Sequence, residues 1–345
     1  MDNYNALIAA GGLGTRLWPL SRVGTPKQLL PLIDDHSMFQ TSIKRIETIF
    51  KPENIFIVTG ENYAKQLHQD APEIPEENFI IEPYGKNTAP ALGLALAYIQ
   101  TRDPKATVAI LTADHHIAHK DKFCRVLESA YEVAQTGHIV TLGISPSYPS
   151  TGFGYIQQGD EISEVNDFKI YQSKRFTEKP DIVRATQFLA SGKYSWNSGM
   201  FIWKVEDAMH DLEKYQPAMY ALLSYLQTII DTPDYQEKLI DIWEKMPRLS
   251  IDFAIMEKAD NIAVIPVDIG WSDVGSWASL YDILPQDKFG NCAKGEATDN
   301  RVILDTRNTL VYSNRLTVAI GVRDLVIVDT DDAILICHKD RTQEV

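Results

Sequence analysis

Near the N-terminus, glycines and cations are spaced so that together they could hold an anion. Gly11-Gly12-Leu13-Gly14-Thr15-Arg16-Leu17-Trp18-Pro19-Leu20-Ser21-Arg22 is followed by Pro26-Lys27-Gln28. Glycines after a strand let backbone N–H groups approach an anion closely. Alone they would read equally well as a tight strand-to-helix turn. Arg16 and Lys27 add two cations around that turn, which suits a polyphosphate whose charge is neutralised while a bond breaks. No Gly-Lys-Ser/Thr closes the loop, so it is not a Walker loop. Leu17 stands where a dinucleotide fingerprint needs its third glycine.

Asp114 offers different chemistry. It ends the apolar run Leu111-Thr112-Ala113-Asp114-His115-His116, and an Asp at the carboxyl end of a strand is a natural Mg²⁺ ligand. His115 and His116 are neighbours in an extended segment and point oppositely, so they are read as holding the loop by hydrogen bonds rather than binding zinc. Asn87-Thr88 precedes Pro90 and fits the cap of a helix beginning there. Asn197, in Trp196-Asn197-Ser198-Gly199, could meet hydroxyls bidentately or simply hold a turn. Glu178-Lys179-Pro180 reads on its own as a solvated ion pair. Ser250-Ile251-Asp252-Phe253-Ala254-Ile255-Met256-Glu257-Lys258 reads chiefly as an amphipathic helix packing the core.

These residues need a scaffold. Short apolar runs at 6–10, 54–58, 79–81, 107–111 and 139–142 alternate with helical patterns at 39–49, 90–100 and 122–135. Alternation of this kind predicts a Rossmann-like α/β fold, its mostly parallel sheet covered by helices. Ligands of such sheets bind at the carboxyl ends of the strands, where most of the motifs lie. Residues 205–258 are helix-rich. From about Asp299 short β runs follow at 301–305, 309–312, 317–320, 325–328 and 333–337, a small all-β appendage that is either a meander or a few coils of a β-solenoid. The linker is placed near 285–291, and no strict internal repeat is present.

Composition narrows the partners. Of 345 residues, 44 % are hydrophobic and 23 % charged, an ordinary globular balance. The formal net charge of −14 argues against sequence-independent nucleic-acid binding. Cys124, Cys292 and Cys337 are isolated and fit buried small hydrophobes in a reducing cytosol. There is no basic, apolar leader and no apolar stretch long enough for a bilayer, so no membrane association is expected.

The glycine loop with its Pro-Lys-Gln resembles the signature of sugar-nucleotide pyrophosphorylases, in the form found in mannose-1-phosphate guanylyltransferases. Matches run from Ala6 to Trp277 in order and spacing, and the β tail agrees more loosely. The resemblance implies a nucleotidyltransferase domain of the glycosyltransferase-A-like kind over 1–285 and a small C-terminal β domain over 286–345. It implies GTP and mannose 1-phosphate as substrates. Gly11, Gly12, Gly14 and Thr15 would bind the nucleotide, with Arg16 and Lys27 on its phosphates. The segment of Glu82, Asn87 and Thr88 would read the base. Glu82 could accept both N1–H and the exocyclic amine of guanine, whereas uracil and thymine offer one donor beside acceptors.

The resemblance further implies that Gly154, in Thr151-Gly152-Phe153-Gly154-Tyr155, lets the backbone approach the hexose. Glu178 and Asn197 would hold its hydroxyls, and Lys179, helped by Arg175, its phosphate. Asp114 and Asp273, the latter in Gly270-Trp271-Ser272-Asp273, would carry Mg²⁺ and face each other across the cleft. Larger members carry a fused isomerase domain after the β tail. This sequence stops at Val345, so that second activity is expected to be absent. The C-terminal β domain is the surface through which a homodimer would form. Rival readings are a pyrophosphorylase for another hexose 1-phosphate, a non-catalytic regulatory relative and, against the missing glycine, a nicotinamide dehydrogenase.

Overall fold

Val-, Ile- and Leu-rich runs bounded by glycine or asparagine become strands with both faces covered, the pattern of a parallel sheet under helices. In the computed structural model β1 (Tyr4–Ala9), β2 (Ile55–Gly60), β3 (Phe79–Glu82) and β4 (Thr107–Thr112) are largely buried. The structure describes all residues except Asp2, Leu13 and 296–300. Leu13 of the glycine loop and Asp299, where the β-rich texture begins, thus lie outside the described residues.

These four strands run parallel. Ala6 of β1 pairs with Ile55 on one side and Ala109 on the other, and Ile57 of β2 pairs with Phe79 of β3. After the two-residue strand β5 (His116–Ile117) come β6 (Ile139–Ile144), β7 (Tyr155–Val165), β8 (Phe168–Thr177), β9 (Tyr194–Lys204) and β10 (Ile262–Pro266). The sheet order is β3-β2-β1-β4-β9-β6-β10-β8-β7. β9 lies antiparallel between β4 and β6, β10 is parallel to β6, and β7 and β8 form an antiparallel pair. The expected α/β class with a parallel sheet is what forms. The antiparallel strands belong to the part of the chain whose pairing the sequence patterns did not resolve.

The chain divides into two compact units. The first comprises Met1–Gly11, Ile43–Ala113 and Ile117–Trp271 and contains the whole nine-stranded sheet. Its main core joins Leu7, Val108, Phe201 and Trp203 of the strands to Leu94, Leu212, Leu223 and Trp243 of the helices Thr88–Arg102, Val205–Tyr215, Pro217–Gln227 and Tyr235–Lys245.

The second unit comprises Gly12–Ser42, Asp114–His116 and Ser272–Val345. After β11 (Trp271–Ser272), its strands are β12 (Cys292–Lys294), β13 (Arg301–Leu304), β14 (Leu310–Tyr312), β15 (Thr317–Ile320), β16 (Leu325–Asp329) and β17 (Ile334–His338). β12, β14 and β16 stack in parallel, placing Cys292 on Leu310 and Leu310 on Val326. β13 and β15 form a second parallel ladder, and β17 closes antiparallel on β16. Alternate strands pairing in parallel is the geometry of a β-solenoid; a meander would pair successive strands antiparallel. Leu310, Val326 and Val328 pack with Leu17, Leu30, Leu32 and Trp277. Cys292 is buried there and burial pushes its thiol up to about 12, as expected of an inert core cysteine. All three cysteines are free.

Candidate active site

In the second unit the site is built around Lys27. Its side chain is 5 % exposed, and its ammonium lies 2.8 Å from Asp114 Oδ2. It also donates to the backbone carbonyl of Asp273. Gly14 makes this possible. It is left-handed, at φ 61°, and a Cβ there would collide with Lys27 Cβ. Ser21 Oγ holds the turn through the Gly14 carbonyl at 2.7 Å. Burial pushes the Asp114 carboxyl up, but Lys27 and, less, His115 outweigh it and hold it below the usual carboxylate range. His115 Nε2 stands 3.9 Å from Asp114 Oδ1, too far for a hydrogen bond.

Asp273 sits in a turn in which its Oδ1 accepts from Gly275 N at 3.0 Å, just before the helix Trp277–Ile283. Arg16 is exposed and donates to Gln343 Oε1 at 2.8 Å, while Gly12 and Thr15 are exposed in the same loop. Among the described residues no three His, Cys, Asp or Glu side chains gather into a metal cage. Two carboxylate-bearing segments meeting at one cation are still a fitting donor set for Mg²⁺. That ion commonly takes one or two carboxylates and completes its octahedron with substrate phosphates and water.

The segment expected to read the base lies in the first unit. Glu82 ends β3 and is buried, and its Oε2 has no hydrogen-bond partner among the described residues. Burial alone raises its carboxyl to about 7. Gly11 lies against it, since a Cβ there would stand 3.6 Å from Glu82 Oε1. Asn87 caps the helix Thr88–Arg102 as expected, its Oδ1 accepting from Thr88 N at 2.8 Å.

The rest of this loop is stitched to a segment roughly 160 residues on. Trp243 Nε1 donates to Tyr84 O at 2.7 Å. Lys86 donates to the carbonyls of Glu244 and Met246 at 2.8 and 2.7 Å, at the end of the helix Tyr235–Lys245. Ile251 N donates to Thr88 Oγ1 at 2.9 Å. Nothing in the sequence marks Lys86 and Trp243, because their partners are backbone carbonyls, which no residue pattern signals.

A third cluster, also in the first unit, gathers Gly154, Glu178, Lys179 and Asn197. Asn197 N donates to Gly154 O at 2.8 Å. A Cβ on Gly154 would stand 2.5 Å from Glu178 Oε2 and 3.2 Å from Asn197 Cβ. The missing side chain therefore makes room for these two residues. Lys179 pairs with Glu178 at 2.7 Å and is 62 % exposed. Glu257 fixes this turn by accepting from Glu178 N at 2.9 Å.

One expectation is corrected. The segment around Asp252 is not a regular amphipathic helix but a π-helical turn, Asp252–Met256. Ala254, Ile255 and Met256 are buried in the core, as that reading required. Asp252 instead accepts from Asn197 Nδ2 at 3.0 Å. Its neighbours' apolar periodicity concealed it.

The model of the family described as Nucleotidyl transferase matches residues 5–288, and that of the MannoseP isomerase/GMP-like beta-helix domain matches 299–345. Mannose-1-phosphate guanylyltransferase of Escherichia coli (strain K12) is 37 % identical over 346 residues, covering 98 % of this chain and 71 % of that protein. Xanthan biosynthesis protein XanB of Xanthomonas campestris pv. campestris is 38 % identical over 349 residues, 100 % of this chain and 72 % of that protein. A crystal structure described as mannose-1-phosphate geranyltransferase from Thermus thermophilus is 30 % identical, with a TM-score of 0.89 over 99 % of this chain and 97 % of that one. The chain therefore belongs to the nucleotidyl transferase family, and its reaction is nucleotidyl transfer.

Proposed function

We propose that the protein transfers GMP from GTP to mannose 1-phosphate, giving GDP-mannose and diphosphate. The observation that carries the choice of base is the buried Glu82 carboxylate, whose Oε2 has no partner among the described residues. A buried acceptor without a donor is costly, and guanine brings two adjacent donors. The names of the 34–39 % identical relatives from E. coli, Klebsiella and Salmonella support mannose as the sugar.

The sugar phosphate is already an anion. Its oxygen attacks the α-phosphorus of GTP in line, the new P–O bond forms, and the bond from the α-phosphorus to the bridging oxygen breaks with diphosphate leaving. No side-chain nucleophile is required, so the chain's task is positioning and charge neutralisation. Gly11, Gly12, Gly14 and Thr15 present backbone to the nucleotide, and Glu82, Asn87 and Thr88 hold its base. Lys27 and Arg16 neutralise the leaving diphosphate. Lys179 and Arg175 orient the incoming phosphate, while Glu178 and Asn197 hold the hexose. Asp114 and Asp273 would hold Mg²⁺, which when bound neutralises charge on the reacting phosphates.

We assign the nucleotidyltransferase domain to 1–285 and the β domain to 286–345. Three free cysteines suit a cytoplasmic setting, and no helix among the described residues is long and apolar enough to cross a membrane. The β13–β15 ladder supports a homodimer through the β domain. Val302 pairs with Val318 and Leu304 with Ile320, and all four side chains are exposed, an apolar patch of the kind that marks interfaces. The test is product analysis. GTP, mannose 1-phosphate and Mg²⁺ should yield GDP-mannose by mass, and absence of that product overturns the reading.

A further inference from the structure

We propose that Asp252 is a hexose-binding and specificity-determining residue. Its carboxylate and that of Glu178 would accept hydrogen bonds from two hydroxyls of one sugar ring. The inference rests on the reading of Gly154, Glu178 and Asn197 as the hexose site.

Geometry carries it. Asp252 Oδ1 lies 3.0 Å from Asn197 Nδ2. Asn197 is fixed at its other end, where Oδ1 accepts from Gly199 N at 3.0 Å, and its backbone N–H is bound to Gly154 O at 2.8 Å. Gly154 in turn leaves its side-chain space to Glu178 Oε2 and Asn197 Cβ. Asp252 therefore joins the cluster through a residue locked by three contacts. It opens a π-helical turn, a distortion frequent at functional sites.

Core packing does not account for a carboxylate here. Ala254, Ile255 and Met256 of the same turn serve the core, and an acid set into partly buried surroundings costs stability unless it is hydrogen-bonded. Burial first, and then the negative charge of Glu178, raise the Asp252 carboxyl to about 6. Two carboxylates held near one another want donors. Lys179 supplies one to Glu178 at 2.7 Å. Neighbouring hydroxyls of a hexose, each able to donate, would supply the rest, and an epimer that turns one hydroxyl away would lose a charge-assisted bond.

The experiment is calorimetric titration of the full chain and of Asp252→Asn and Asp252→Ala, with mannose 1-phosphate and separately with GTP. Asparagine keeps an amide oxygen for Asn197 and removes the charge. Asp252→Asn should bind mannose 1-phosphate at least tenfold more weakly and GTP as before. The kcat/KM ratio of mannose 1-phosphate over glucose 1-phosphate should shift at least fivefold, a readout in which titration of the substrate phosphate cancels. Unchanged sugar-phosphate binding in Asp252→Asn with loss only in Asp252→Ala would make Asp252 a mere support for Asn197 and overturn the proposal. Equal losses for GTP and sugar phosphate would overturn it too. A wild-type protein that binds no hexose 1-phosphate refutes the site reading itself. Normal wild-type binding with an indifferent Asp252→Asn refutes this inference alone.

Discussion

The Lys27 ammonium lies 2.8 Å from the Asp114 carboxylate, at 5 % and 27 % side-chain exposure. The same ammonium reaches the Asp273 carbonyl. One lysine thus ties together the glycine loop and both segments proposed to carry Mg²⁺. The left-handed Gly14, packed on the Lys27 stem, explains why glycine and lysine occur together in this sequence.

The two lysines should fail differently. Lys27→Ala should lower kcat/KM by about one and a half to three powers of ten, the roughly 2–4 kcal/mol of one preorganised electrostatic contact. Its effect should fall on the GTP side. Lys179→Ala, at an exposed position, should instead raise KM for mannose 1-phosphate more than KM for GTP. Steady-state kinetics with each substrate varied would show it, and the reverse pattern would mean that the two roles are exchanged.

Asp273 and Asp114 should separate on stability. Asp273 meets Lys27 through its backbone, so Asp273→Asn should cut Mg²⁺-dependent turnover by orders of magnitude and leave thermal unfolding nearly unchanged. Asp114→Asn removes the partner of a buried ammonium and should also lose roughly 1–3 kcal/mol in denaturant unfolding. Near-normal turnover of Asp273→Asn would remove it from the metal site.

Glu82 carries the pH dependence. Its carboxyl is raised to about 7 by burial, so folding favours the protonated form. The stability this contributes is complete below the usual glutamate range and is lost as pH rises through 7, by up to about 3 kcal/mol. Glu82→Gln should therefore be more stable than wild type at pH 8 and no more stable at pH 4. Guanine's two donors want the ionised form, so GTP affinity should fall in the wild type as pH drops from 8 to 6, about tenfold per unit well below 7. Glu82→Gln should bind GTP more weakly and lack this dependence. A wild-type affinity that stays flat over this range, or a Glu82→Gln that keeps the wild-type preference for GTP over dTTP, would leave Glu82 as a loop-holding residue.

The exposed aliphatic ladder has its own test. Val318→Glu with Ile320→Glu should convert a dimer to a monomer in light scattering and leave far-UV dichroism intact. A wild-type monomer at micromolar concentration would contradict the assembly.

Much of the first half was legible in the sequence. The run at 6–10 is β1, that at 107–111 is β4, and Asn87 caps its helix, because these features depend on local composition and on neighbours in sequence. The choice between meander and solenoid was not, because it depends on which strands pair: Leu310 stacks on Cys292 and Val326 across turns of the chain. Three-residue β12 carries too little periodicity to register. Lys27 was legible by type, but its burial against Asp114 was not. Asp252 was hidden because its partner Asn197 lies 55 residues away and its own segment repeats apolar residues at helical spacing.

The most direct test of the function is diphosphate release with GTP, ATP, UTP and dTTP, each crossed with mannose 1-phosphate, glucose 1-phosphate and galactose 1-phosphate under Mg²⁺. The expected result is one dominant cell, GTP with mannose 1-phosphate, at least ten times faster than any other nucleotide with that sugar. A dominant cell in another nucleotide column, or no release in any cell, would contradict guanylyl transfer to mannose 1-phosphate.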